Sequence, residues 1–311
     1  KKPIIFRATE QWFLNVDKRQ LRERMLEVIK GVRWIPKIGE NRISSMVEVR
    51  PDWCLSRQRY WGVPLPIFYC KNCGEALMSE ESIGAVQDLV MREGSDVWYV
   101  KKEEEILPKG TECPKCKESK FTKEKDILDV WFDSGVSHEA VLRERENLSW
   151  PADLYLEGSD QHRGWFQTSL IPAVALEKVA PYRTVLTHGF VVDGEGRKMS
   201  KSIGNVIAPQ EIIEKYGAEI LRLWVASEDY TEDVRISSQI LGHLIDGYRR
   251  IRNTFRFLLG NLNDFNLLKK VKYQEMPEID QWMLHILQEL ISQVMDSYES
   301  FQLHRVYRDI H

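Results

Sequence analysis

The sequence predicts an α/β protein: a parallel sheet interrupted by a small metal-stapled insertion and followed by an all-helical region. Three observations predict it. Apolar runs at 126–132 (DILDVWF), 152–158 (ADLYLEG) and 183–190 (RTVLTHGF) read as short buried strands, and a helical pattern over 164–179 joins the last two. Strands alternating with a helix imply a parallel sheet, whose ligands gather at the carboxyl ends of the strands. Two C-x-x-C pairs bracket a polar stretch over 70–125, and beyond residue 236 the periodicity is purely helical.

Taken in order, residues 17–30 place Leu21, Met25, Val28 and Ile29 at helical spacing, with Asp17 as the N-cap. Residues 50–66 are rich in arginine and aromatics and lead into the strand-like VPLPIFYC of 63–70. Residues 70–125 carry few large apolar side chains and read as an insertion that cannot build a core unaided. Pro209 suits the first turn of a helix ending near Gly217, with a second helix over 218–226. Ile240, Leu244, Tyr248, Ile251, Phe255, Leu258 and Leu262 form one i+3/i+4 stripe; Leu284, Leu287, Ile291, Val294 and Tyr298 form another.

Composition narrows the function classes. With 311 residues, 43% hydrophobic and 29% charged, the chain reads as a soluble globular protein of two or three units. A net charge of −3 excludes a uniformly basic nucleic-acid coat, so any such contact must come from local patches. No run of eighteen apolar residues could span a membrane, and Lys1-Lys2-Pro3 leads straight into mixed sequence without a signal-peptide pattern. Four of the five cysteines fall in the two pairs, which favours metal over disulfides and a reducing, cytoplasmic compartment. The first residue, Lys rather than Met, and the last, His311 inside a helical pattern, read as the ends of a piece of a longer protein.

Four stretches carry chemistry. Cys70, Cys73, Cys113 and Cys116 can offer four thiolates to one tetrahedral ion, read as structural zinc; a pair of free or redox dithiols is the competing reading. Cys54 stands apart as a small buried side chain. YLEGSDQHRGWF (155–166) sets Glu157, Asp160, Gln161, His162 and Arg163 directly after a strand, where an acid could grip an ammonium group or ribose hydroxyls; a plain polar loop with one buried tryptophan is the alternative. GRKMSKSIGN (196–205) concentrates three cations and two hydroxyls between glycines, which suits a polyphosphate as well as a solvated basic turn. It is not a Walker loop, since no G-x-x-x-x-G-K-[ST] occurs. YRRIRNTFRF (248–257) carries four arginines and three aromatics, suited either to RNA phosphates or to a solvated helix face.

Lys198-Met199-Ser200-Lys201-Ser202 matches the KMSKS signature of class I aminoacyl-tRNA synthetases. With WCLSRQRYWG (53–62), DVWFDSG (129–135) and YLEGSDQHRGWF, the chain resembles the bacterial isoleucyl branch of that family over nearly its whole length. The valyl and leucyl branches share the SRQ element and a similar lysine loop, and remain alternatives, as does a non-catalytic tRNA- or protein-binding module reusing the fold. The resemblance implies ATP-dependent ligation of isoleucine to tRNA(Ile) through isoleucyl-adenylate, with Mg²⁺ accompanying ATP, structural Zn²⁺, and a monomeric chain. It implies a return from the editing insertion over 1–66, a zinc insertion over 67–125, and the second half of a Rossmann-like catalytic domain over 126–206. Connective helices would follow over 207–240, and 241–311 would begin the anticodon-binding domain.

The family's roles transfer to matching positions. Glu157, Gly158, Asp160 and Gln161 would hold the aminoacyl-adenylate, with Trp131 and Trp165 walling the aliphatic pocket. His188, Gly189 and Phe190 would border adenine. Lys198 and Lys201 would be the catalytic ATP ligands, with Ser200 and Ser202 adding hydrogen bonds. Arg249, Arg250 and Arg252 are the candidate tRNA contacts. Two departures stand out: none of the histidines at 138, 162, 188, 243, 285, 304 or 311 begins the family's H-x-G-H motif, and its editing insertion is essentially missing. The chain by itself is therefore expected to be inactive.

Overall fold

The computed structural model describes residues 3–5 and 8–311. It divides into two units, Lys1–Tyr155 with Asp160–Leu186, and Leu156–Ser159 with Thr187–His311.

In the first unit, strand β1 (Phe13–Leu14) leads to helix α1 (Leu21–Lys30), which turns Leu21, Met25 and Ile29 into the core. Asp17 does not cap this helix; a 3₁₀ turn over Lys18–Gln20 intervenes. Arg22 takes the carboxylate instead, with Nε 2.6 Å and Nη2 3.2 Å from its oxygens. The same guanidinium donates to the carbonyls of Val47 (2.5 Å), Glu48 (3.1 Å) and Arg50 (2.8 Å). These lie at and just beyond the end of helix α2 (Ile38–Glu48), where carbonyls lack helical partners. Strand β2 (Arg33–Ile35) lies between the two helices in sequence.

Strands β3 (Trp53–Cys54) and β4 (Ser56–Arg57) precede the insertion, and β3 pairs antiparallel with β1. Within the insertion, β5 (Phe68–Cys70), β6 (Ala76–Leu77) and β7 (Phe121–Lys123) form an antiparallel sheet in the order β6-β5-β7. Helices α3 (Glu80–Glu93), α4 (Val97–Val100) and α5 (Glu103–Ile106) complete it. This segment has an apolar cluster that includes its cysteines: Phe68, Leu77, Val86, Leu89, Val97, Trp98, Ile106, Leu107 and Phe121 pack around Cys70 and Cys113. Other large apolar residues of the segment, among them Met78, Met91, Tyr99 and Val100, are exposed.

The chain returns through β8 (Ile127–Leu128), which pairs with β4 and so closes the insertion at its base. The expected strand over 126–132 stops here. Asp129 accepts the Trp131 backbone N–H at 3.2 Å, and the chain coils into α6 (Val130–Gly135). Strand β9 (Ala152–Gly158), helix α7 (Trp165–Glu177) and strand β10 (Tyr182–His188) follow as expected. The sheet order is β2-β10-β9, with β2 parallel to β10, Val185 opposite Trp34. Helix α7 is buried continuously from Phe166 to Val174. It meets α1, α2 and the sheet in one cluster with Met25, Ile29, Ile43, Val47, Trp34, Tyr155 and Val185.

In the second unit, β11 (Val191–Asp193) pairs parallel with β12 (Val234–Ile236). Helix α8 (Pro209–Tyr216) opens on Pro209 and stops at Gly217, where φ is +91°; α9 (Ala218–Ser227) follows at once. Helices α10 (Ser238–Asn261) and α11 (Glu278–Glu299) are those the two apolar stripes predict, and α12 (Leu303–Ile310) follows them. The apolar stripes fare differently. Leu244 is buried beside Ile212, Ile220, Trp224, Ile236 and Leu241, whereas Phe255, Leu258 and Leu262 are exposed, as are Leu284, Leu287, Ile291 and Tyr298.

Helix α6 presses closely on α7 at Gly135, where a β-carbon would stand 2.2 Å from the Thr168 carbonyl oxygen. Gly135→Ala forces backbone to move and should cost roughly 1–3 kcal/mol, read as a lowered urea midpoint at unchanged slope.

Candidate functional site

The first unit holds an open cleft of about 470 Å³. Sequence-predicted Trp131, Asp160, Gln161 and Arg163 line it, joined by Gly164, Arg50, Trp53, Arg57 and Asp129, which the sequence reading did not single out. Asp129 organises one wall. Buried, it accepts Trp53 Nε1–H at 3.0 Å and Arg57 Nη2–H at 2.8 Å on one oxygen. Arg57 also donates to the Cys54 and Ser56 carbonyls at 2.8 and 2.9 Å, so its charge is fully engaged. Arg50 donates to Gln167 Oε1 at 2.6 Å and lies over the Trp53 ring; burial lowers its pKa. The aromatic and arginine density of 50–57 was the available signal. Cys54 beside this wall is half-buried rather than buried.

The turn over 159–164 sets the other wall. Gln161 Oε1 accepts the Trp165 N–H at 2.9 Å, bracing the start of α7. A β-carbon on Gly164 would meet that oxygen at 2.5 Å and Trp131 at 3.3 Å, so a larger residue there would push the Gln161 amide aside. Trp131 is half-exposed in the cleft. Trp165 points elsewhere: it stacks on Tyr155 with centroids 4.1 Å apart and donates to the Ser134 carbonyl at 2.9 Å. His162 is fully buried, T-shaped against Phe166, as a core histidine would be.

Apart from the four paired cysteines, the remaining predicted residues fall in the second unit. At the end of β9, Glu157 is exposed and Gly158 buried. Past β10, Gly189 donates its N–H to the Tyr230 carbonyl at 2.9 Å, and a β-carbon there would lie 2.2 Å from the Glu232 carbonyl oxygen. His188 Nδ1 is 2.7 Å from the Gly189 carbonyl oxygen, and Phe190 donates its N–H to Asp233 at 2.8 Å while its ring is exposed. Gly189 is thus buried against the Glu232 backbone, and the exposed Phe190 ring offers the apolar face here.

The lysine loop leaves β11. Met199 packs against the cluster of Ile212, Trp224 and Ile236, while Lys198 and Lys201 on either side of it are exposed. Neither lysine has an ion-pair partner among the described residues. Arg197, by contrast, pairs with Asp193 at 2.9 Å and Glu195 at 3.1 Å. Ser200 and Ser202 hydroxyls lie 3.1 Å apart. Hydrogen bonds from the Asn205 side chain, then from the Arg197 backbone, hold the Asp193 carboxyl well below the usual carboxylate range. Arg249, Arg250 and Arg252 are exposed on α10, with Arg249 3.5 Å from Asp246.

The four paired cysteines converge in the insertion. All four Sγ atoms lie within 4.8 Å of one another, with Cys70 to Cys116 at 3.5 Å and Cys73 to Cys113 at 3.6 Å. A tetrahedral thiolate site with metal–sulfur bonds of ~2.3 Å has edges near 3.8 Å, so the cluster fits a metal ion. Each pair sits on the same knuckle. The Cys70 N–H donates to Glu75 and the Gly74 N–H to Cys70 (2.9 Å each); the Cys113 N–H donates to Glu118 (2.8 Å) and the Lys117 N–H to Cys113 (3.1 Å).

With this geometry in view, comparison with known proteins is decisive. The family model described as tRNA synthetases class I (I, L, M and V) matches residues 1–237. The chain belongs to that family. It is 59% identical over 311 residues to a protein of Geobacter sulfurreducens named isoleucine--tRNA ligase, and 57% identical over 312 residues to one of that name from Caldanaerobacter subterraneus subsp. tengcongensis. All of this chain aligns with each, covering 34% and 33% of their lengths, so it spans about a third of these class I relatives. Among solved structures, the Agrobacterium radiobacter K84 agnB2 LeuRS in ternary complex with tRNA and LeuAMS matches 86% of this chain and 37% of its own, at TM-score 0.62 and 23% identity. Mycobacterium tuberculosis methionyl-tRNA synthetase in complex with methionyl-adenylate matches 93% of this chain and 48% of its own, at TM-score 0.62 and 19% identity. These two share the class I fold.

The depressed Asp193 pKa has a signed consequence. The folded form binds this proton more weakly than the unfolded chain, so the stabilisation is present above the ordinary aspartate pKa and is lost only as pH falls through the depressed value. Carboxyl carbon-13 titration should find Asp193 still ionised at a pH where unpaired exposed aspartates are half-protonated. A midpoint in the ordinary range contradicts this.

Proposed function

We propose that this chain forms the lysine-loop part of a site that activates isoleucine with ATP and esterifies it to tRNA(Ile). The observation that carries the reading is the pair Lys198 and Lys201, exposed and without carboxylate partners among the described residues, on either side of an anchored Met199, in a class I chain so similar to isoleucine--tRNA ligases.

The chemistry asks the protein for alignment and charge, not for a nucleophile. A carboxylate oxygen of isoleucine attacks the α-phosphorus of ATP. One P–O bond forms as the bond to the bridging oxygen breaks, and pyrophosphate leaves with the electron pair. A terminal ribose hydroxyl of the tRNA then attacks the activated carbonyl, and AMP departs. Lys198 and Lys201 neutralise charge building on the departing phosphates, most effectively if they contact that state better than bound ATP. Mg²⁺ enters with the nucleotide. Ser200 and Ser202 add hydrogen bonds, and His188, Gly189 and Phe190 border adenine. Glu157, Gly158, Asp160 and Gln161 hold the adenylate's amino group and ribose; Trp131 bounds the branched side chain, whereas Trp165, stacked on Tyr155, does not line the cleft. Arg249, Arg250 and Arg252 meet tRNA phosphates, which makes affinity salt-dependent.

Zinc in the cysteine cluster completes this reading. Four protein thiolates fill a tetrahedral ion's coordination, so the metal's role is structural. The insertion then spans 67–125, and the helices from 241 begin a tRNA-binding domain.

The test is isoleucine-dependent ATP–pyrophosphate exchange in a chimera in which this chain replaces the matching third of the Geobacter relative. Exchange should appear with isoleucine in preference to valine or leucine, and Lys201→Ala should slow it by about 100-fold, roughly 2.7 kcal/mol of transition-state stabilisation. The 311-residue chain alone should give none. An active chimera indifferent to Lys201→Ala refutes the role of the loop, and an inactive one favours a non-catalytic module.

The purified chain should also bind one equivalent of zinc. Cys113→Ala should abolish that binding and expose residues 70–125 to protease while the remainder of the chain stays resistant. Full resistance after metal loss would show that the apolar cluster suffices without the ion.

A further inference from the structure

Residues 194–204 form a loop whose two ends meet through side chains. Asp193 Oδ1 accepts the backbone N–H groups of Glu195 at 3.0 Å and Arg197 at 2.8 Å. Its Oδ2 accepts Arg197 Nε–H and Asn205 Nδ2–H, both at 2.9 Å. The Asp193 backbone closes the same turn, its N–H donating to the Arg197 carbonyl at 3.0 Å and its carbonyl accepting from Gly196 at 2.9 Å. Gly196 supplies the φ of +81° that this turn requires.

Asn205 works from the far end. Its Oδ1 accepts the Ser200 N–H at 2.9 Å, and its Nδ2 is also 3.3 Å from the Lys198 carbonyl. One amide therefore touches the backbone on both sides of Met199 and joins it to Asp193. A short bridge between Val192 and Lys198 adds to the near end.

We propose that Asp193 and Asn205 are positioning residues that clamp the lysine loop, holding the backbone at Lys198 and Ser200 so that the ammonium groups of Lys198 and Lys201 face solvent ready for polyphosphate. The same clamp assigns the loop's cations. Arg197 neutralises Asp193 and is not a phosphate ligand, and the carboxylate is thereby kept from pairing with either lysine. Charge-assisted hydrogen bonds suit this task because they are short, directional and costly to break. Asn205 fits because a side-chain amide presents donor and acceptor from one planar group, as aspartate or leucine cannot. This inference rests on the proposed function only in naming ATP as the polyphosphate.

Two measurements test it. On the 311-residue chain, tryptic cleavage after Arg197, Lys198 and Lys201 should accelerate at least tenfold in Asp193→Asn and in Asn205→Leu, with cleavage elsewhere unchanged. Exchanging the pair, Asp193→Asn with Asn205→Asp, restores a side-chain hydrogen bond of reversed direction and should recover part of the protection. In the chimera, either single variant should raise the KM for ATP about tenfold and leave the KM for isoleucine unaltered. Loop cleavage at the parental rate, or isoleucine and ATP constants rising together, overturns the clamp. Proteolysis needs no catalysis, so an inactive chimera would sink the proposed function while the clamp is still decided by the cleavage rates.

Discussion

Helix α7 has no polar face, and that constraint shapes the first unit. Every residue from Phe166 to Val174 is buried, so the helix must be enclosed on all sides. The sheet takes one side and helices such as α1 and α6 take others. Its few polar side chains are then forced into specific partnerships. Gln167 donates to the His162 carbonyl at 2.7 Å and accepts from Arg50 at 2.6 Å. Through these two bonds a core helix fixes both the turn carrying Asp160 and Gln161 and an arginine of the opposite cleft wall. Packing and site geometry are one problem here, because the residues that fill the interior also aim those that line the cleft.

The distribution of cations follows a second physical rule. Arg22, Arg57 and Arg197 each engage a carboxylate, and Arg22 and Arg57 also bond several carbonyls. A planar fork with five donors can satisfy such a set at once. The cations left without carboxylate partners in the loop are lysines, whose mobile point charges adapt to a ligand that arrives, reacts and departs. Arginine holds the frame and lysine is left for the chemistry. A loop containing three cations in five residues thus does not carry three equivalent charges.

Much of this was legible in residue order, for reasons that also mark where legibility ends. The lysine loop, the paired cysteines and Pro209 at the start of α8 announce themselves locally, since their chemistry depends on neighbours along the chain. The run DILDVWF misleads because a short apolar stretch suits strand and helix alike; Asp129 decides by accepting the Trp131 N–H, which turns the chain into α6. Asp17 looks like a cap and is not one, because Arg22 outcompetes the helix for its carboxylate. Asp193, Asn205, Arg50, Arg57 and Asp129 are ordinary polar letters until the fold assembles their partners. The stripes on α10 and α11 show the converse: periodicity identifies which face is apolar, and says nothing about what lies against it.

The insertion shows why composition underestimates a small core. Its buried cluster draws on the cysteines as well as on the large apolar residues: Cys70 and Cys113 are buried with Trp98 and Phe121. A four-cysteine cluster built this way is not a staple added to a finished core, since the sulfur atoms are part of what the aromatics pack against. The knuckles make the same point in the backbone. Gly74 and Lys117 occupy equivalent places with φ of +72° and +65°. Glycine adopts that conformation freely, whereas lysine pays about 1 kcal/mol for it. That the second knuckle keeps the strained geometry without glycine means that closing the four-sulfur cluster outweighs the local preference of the chain.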